Sequence, residues 1–173
     1  MVQDTRVWPL VAFGLFATVT IAACGGEVGA PSASAQASPR VAGIVTQTAS
    51  GCSLSLSSEK VKAGKVAFTF VNASGNKAGL DVWRMPQPSS FAELVAAARE
   101  DRRLAEAGEP PQGDHSSLGS APSIRAEWDD ATSRTVSGQL EAGTYALVCI
   151  ATYPKVSEPR LLEVVGPIIV EPA

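Results

Sequence analysis

The chain has 173 residues and a formal net charge of −3, with 45% hydrophobic and 18% charged residues. That length suits one folded domain, and the apolar fraction is too high for a disordered tail. The weak acidity, with no basic stripe, excludes a nucleic-acid binder.

The first stretch differs from everything after it. Val7 to Ala23 is almost free of charge, follows Arg6, and ends in Ile21-Ala22-Ala23-Cys24, so residues 1–23 read as a signal peptide and not as a core helix. Those last four residues resemble the lipobox of bacterial lipoproteins, in which an aliphatic and two small residues precede a cysteine that is lipidated and becomes the mature N-terminus. The resemblance implies a lipidated Cys24 and a domain held at the cell membrane on its extracytoplasmic side. Acyl chains contribute about 0.8 kcal/mol per buried methylene, so a multiply acylated cysteine needs no spanning helix to stay there.

Gly25 to Arg40 is mostly Gly, Ala, Ser and Pro, too poor in large apolar groups to offset the entropy of ordering, so residues 24–40 form the lipidated cysteine and a flexible linker. The folded domain is expected over residues 41–173. Its signals are those of short strands: Ala42 to Thr48, Cys52 to Ser57, Val66 to Asn72, Gly79 to Met85, Arg134 to Leu140, Thr144 to Ala151 and Arg160 to Val170. Turn residues such as Lys62-Ala63-Gly64, Ala73-Ser74-Gly75-Asn76 and Pro154 separate them. Val66, Phe68 and Phe70 alternate with smaller side chains, which predicts one core face. Tyr145, Leu147 and Cys149 alternate with Ala146, Val148 and Ile150, apolar on both sides, which predicts a central strand covered on both faces.

One segment breaks the β pattern. Ser90-Phe91-Ala92-Glu93 has the form of a capping box, and Phe91, Leu94, Val95, Ala98 and Leu104 recur at helical spacing until Gly108 and Pro110, predicting a helical insertion at about 91–107. The charges Glu100-Asp101 and Arg102-Arg103 on that helix, and Asp129-Asp130 further on, read as solvated. Pro110 to Ser123 reads as an exposed loop carrying the only histidine, His115. The fold class expected is all-β, a sandwich with one helix.

Export decides how the other thiols read. With Cys24 lipidated, Cys52 and Cys149 remain as an even pair in an oxidising compartment, and each alternates in phase with core leucines, so a disulfide is the simplest account. Two separate buried thiols are the alternative.

The usual catalytic constellations are missing: no nucleophile elbow, no pair of zinc-spaced histidines, no CxxC and no phosphate-cradling glycine loop. The chain is therefore expected not to be an enzyme. A site around Asp81, Arg84 and Glu163 is the minor alternative. Trp83 and Trp128 fit core packing better than a ligand groove.

Two blocks, Val61 to Asn72 and Gln139 to Ile150, resemble the cupredoxin-like β-sandwiches of exported bacterial proteins. The first carries a Gly-x-Val-x-Phe step ending at Asn72, and the second a Leu-x-x-Gly-Thr-Tyr step leading to a cysteine. The resemblance implies a Greek-key sandwich and marks where a type 1 copper site would sit, with two histidines, a cysteine thiolate and often a methionine. By that match the positions are Ala78, Cys149, Arg160 and Val165, so only the cysteine is kept. Alanine, arginine and valine do not coordinate copper, and Met85 does not match the pattern. The expectation is therefore no cofactor and a copper-free module attached to the membrane by its lipid anchor, with another envelope protein as a candidate partner. The rival is an electron-transfer or copper-carrier protein using Cys149 with His115.

Overall fold

The structure, a computed structural model, describes residues 38–87, 90–112, 119 and 121–173, the side chain of Trp128 excepted. The segment Val7 to Ala23, Cys24 and His115 lie outside the described residues, as does most of the linker. Among the described residues, nine strands and one helix follow in the order β1 (Arg40–Gln47), β2 (Cys52–Leu56), β3 (Val61–Lys62), β4 (Gly64–Asn72), β5 (Ala78–Arg84), α1 (Ser90–Ala107), β6 (Ile124–Asp129), β7 (Ser133–Leu140), β8 (Gly143–Tyr153) and β9 (Val156–Glu171).

They form two sheets. One has the order β2-β1-β4-β7, the other β3-β9-β8-β5-β6. The chain crosses from β4 to β5 and β6 in the second sheet, returns to β7, and crosses again to β8, which gives an all-β sandwich of two sheets with one helix. Both sheets are mixed, because β1 runs parallel to β4 and β3 parallel to β9. Period-2 alternation does not encode which neighbour a strand takes, so the parallel pairings had no signal in the sequence.

The core between the sheets holds Val45, Val66, Phe68, Phe70, Leu80, Val82, Tyr145, Leu147 and Cys149. The other face of β8, with Ala146 and Val148, joins Met85, Leu94, Ala98 and Val164 in a second cluster. β8 is thus covered on both faces, as its two apolar sides require. Trp83 also packs against this second cluster, and Tyr145 returns its hydroxyl to Glu141 O at 3.1 Å.

The helix covers the second sheet with Leu94, Ala98, Leu104 and Ala105. It ends where Gly108 takes φ +82°. There Glu109 N–H donates to Leu104 O at 2.8 Å and Gly108 N–H to Ala105 O at 3.1 Å, a Schellman closure that satisfies carbonyls the helix leaves open.

Two elements depart from the expectation. β6 is a strand that is not among those expected from the sequence, although Ile124 and Ala126 alternate with Arg125 and Glu127; both apolar side chains are buried against the core, and the strand pairs with β5. Asp101 is not a solvated helix charge either. It is 4% exposed, because it stands seven residues after Leu94 and so on the buried stripe of the helix.

Candidate functional site

The four positions matched to a copper site, Ala78, Cys149, Arg160 and Val165, lie on three adjacent strands of one sheet. Register sets them in three cross-strand rows: Val82, Leu147 and Val165; Leu80, Cys149 and Glu163; Ala78, Ala151 and Arg160. Ala78, Cys149, Arg160 and Val165 therefore occupy neighbouring rows, while their side chains have different surroundings.

Cys149 is fully buried and bonded to Cys52, which lies on β2 in the opposite sheet. The two Cα atoms are 6.5 Å apart and the residues 97 positions apart in the chain, so the bond staples the centre of one sheet to the edge of the other. Two further contacts reinforce that end. The Glu163 carboxylate accepts the Cys52 backbone N–H at 2.6 Å, and Gln47, which pairs in register with Cys52, donates its side-chain amide to Ile150 O at 2.9 Å. A charge-assisted bond of the first kind is among the stronger hydrogen bonds a protein makes.

Arg160 points its charge at the helix. Its Nε and Nη2 donate to Asp101 Oδ1 at 2.8 and 2.5 Å, and Nη1 donates to Glu109 O at 3.2 Å. The second Asp101 oxygen accepts the Leu161 N–H at 2.9 Å. Both side chains are 5% exposed, which makes this a buried pair that clasps α1 to β9. Tyr153 lies nearby with its hydroxyl 3.4 Å from Leu161 O, and burial pushes its phenol up to about 12.

These residues do not fit copper. A type 1 site needs imidazole nitrogens and a thiolate; Ala78 and Val165 carry no donor, Arg160 is a cation held by Asp101, and the Cys149 sulfur is bonded to another sulfur. Met85 lies in the second cluster, on the face of the sheet away from Cys149. Among the described residues no group of three His, Cys, Asp or Glu side chains is placed to hold a metal ion.

The residues of the minor catalytic alternative are engaged separately. Asp81, 3% exposed, takes a two-pronged bond from Arg125 at 2.8 and 3.0 Å. Arg84 pairs with Glu141 at 2.7 Å and donates to Ala142 O at 3.0 Å. Glu163 holds the Cys52 amide. Asp129 pairs with Arg134 and also accepts the Ala131 N–H at 2.8 Å. On the helix surface, the Arg103 guanidinium holds the Glu100 carboxyl below the usual carboxylate range.

Sequence reasoning missed Gln47 and Asp101. Helical spacing could have found Asp101; nothing in β1 distinguished Gln47, which is fully buried.

No family model matches the chain, and no curated protein matches it. Solved structures of three auracyanins are similar to it over 78% of its length. One is a reduced auracyanin from the photosynthetic bacterium Roseiflexus castenholzii, at 14% identity, 98% of that chain covered and a TM-score of 0.37. Auracyanin B matches at 19% identity, with 91% of that chain covered and a TM-score of 0.41. Auracyanin A from Chloroflexus aurantiacus, described as a blue copper protein, matches at 20% identity, with 100% of that chain covered and a TM-score of 0.40. At this level the likeness says nothing of what the present chain binds.

Proposed function

We propose that the chain is a membrane-anchored extracytoplasmic lipoprotein whose copper-free cupredoxin-like domain acts as a binding or structural module, not as an enzyme. The observation that carries the copper-free reading is the bond between Cys52 and Cys149: the one family ligand the sequence keeps has its sulfur in a disulfide, and so offers no thiolate. The lipobox-like Ile21-Ala22-Ala23-Cys24 supports the anchor. Another envelope protein is the partner this reading anticipates.

The test is metal analysis of the exported protein after incubation with copper under non-reducing conditions. The expected result is no stoichiometric metal and no thiolate-to-copper absorption band. One tightly held copper per chain, with a reduced Cys149, overturns the reading in favour of a copper carrier that recruits His115. The anchor is tested separately: Cys24→Ala should abolish acylation, and acylation that persists contradicts it.

A further inference from the structure

At the end of the sandwich where β1 begins, a cavity of about 80 Å³ is lined by Arg40, Ser57, Ser58, Lys60, Lys62 and apolar walls from Ala42, Val61 and Val66. Its volume and its chemistry match a single tetrahedral anion. Lys60 and Lys62 both reach Glu171, at 3.0 Å each, so two ammonium groups share one carboxylate and keep an excess of positive charge. The same two lysines hold the Glu171 carboxyl below the usual range. Arg40 makes no hydrogen bond or ion pair among the described residues, which leaves the donors of its guanidinium open.

The two hydroxyls differ in what they offer. Ser57 Oγ donates its hydrogen to Val41 O and Ala42 O at 2.8 and 2.9 Å, so it has none left for a ligand. Ser58 Oγ accepts the Lys60 N–H at 3.3 Å and keeps its own hydrogen. A group inside the pocket would meet cationic donors from Arg40, Lys60 and Lys62 and a neutral one from Ser58, and an anion there would compete with the Glu171 carboxylate for the two ammonium groups.

We propose that this pocket binds a phosphate group, as a phosphodiester headgroup or as free phosphate. The proposal stands on the described fold alone and does not rest on the lipid anchor. The lysines are well exposed, with side chains 68% and 45% accessible, so the affinity is modest, with a dissociation constant on the order of a millimolar.

The experiment is calorimetric titration of the exported protein with two probes, inorganic phosphate and glycerophosphoglycerol, at matched ionic strength. Saturable binding of the diester assigns the pocket to a lipid headgroup; binding of inorganic phosphate alone assigns it to the free anion. In either case Arg40→Gln and Lys60→Gln should each weaken binding about tenfold, the effect of losing one charge-assisted bond. Glu171→Gln should tighten it, because the competing carboxylate is gone. Lys65→Gln removes the same charge from an exposed residue on β4 outside the pocket lining and should leave binding nearly unchanged. Absence of saturable binding by both probes overturns the proposal. So does an equal loss in Lys65→Gln, which would mean general surface charge and no pocket, or weaker binding in Glu171→Gln.

Discussion

The clasp between Asp101 and Arg160 makes a quantitative prediction about how the helix is held. Replacing Asp101 by Ala removes the acceptor of three hydrogen bonds, two from the guanidinium and one from Leu161 N–H. The guanidinium, 5% exposed, keeps only the Glu109 carbonyl. Removing one partner of a buried pair costs about 3 to 5 kcal/mol, since a charge is left desolvated without compensation. At about 2 to 4 °C per kcal/mol for a domain of this size, the melting temperature should fall by roughly 6 to 20 °C. Arg160→Met alone strands the carboxylate and should cost a similar amount. The double variant Asp101→Leu/Arg160→Met leaves no charge behind and should recover to within about 1 or 2 kcal/mol of the parent. Urea unfolding followed by tryptophan fluorescence gives the cycle. Single variants that each cost less than about 1 kcal/mol, the range of exposed pairs, would refute the reasoning.

Three further outcomes follow from the geometry. The bond between Cys52 and Cys149 closes a loop of 97 positions, and Cys52→Ala/Cys149→Ala should lower stability by about 2 to 4 kcal/mol in denaturant titration, the loss expected when so long a loop is released. Gly43→Ala should destabilise the β1–β2 hairpin, because the added Cβ would lie 2.6 Å from Ser55 O; roughly 1 to 3 kcal/mol of overpacking is expected in the same assay. Tyr153, raised from 10.0 to about 12 chiefly by burial, contributes stability that is fully present below pH 10 and is lost as pH rises toward 12, where the folded phenol ionises. Ultraviolet titration should therefore show a phenol ionising near pH 12 that disappears in Tyr153→Phe, and an ordinary midpoint in the folded protein would contradict the buried placement.

The parts of the fold that were legible in the sequence are those whose burial repeats at a fixed period. β8 announced both its faces, β4 its core face, and α1 its apolar stripe and glycine stop. The short β3 and the parallel neighbours were not legible, since pairing partners depend on crossings between sheets and leave no local pattern. β6 was legible and passed over: its alternation stands in a charged context that resembles a turn. The candidate site was half legible. Phase placed Cys52 and Cys149 toward one core, but Arg160, which the family match set beside the thiol, finds its partner fifty-nine positions earlier on the helix. A sequence match places a residue on a strand; which acid its side chain meets is decided by an inserted helix that the matched pattern does not contain.

Whether the domain can hold copper turns on the state of one sulfur, that of Cys149. Digestion of the exported protein without reductant, followed by mass analysis, should yield a single linked pair of peptides carrying Cys52 and Cys149, with both absent from the alkylated thiols. Recovery of the two cysteines as separate alkylated peptides would restore a free thiolate at Cys149 and contradict the claim that the ligand position has been closed.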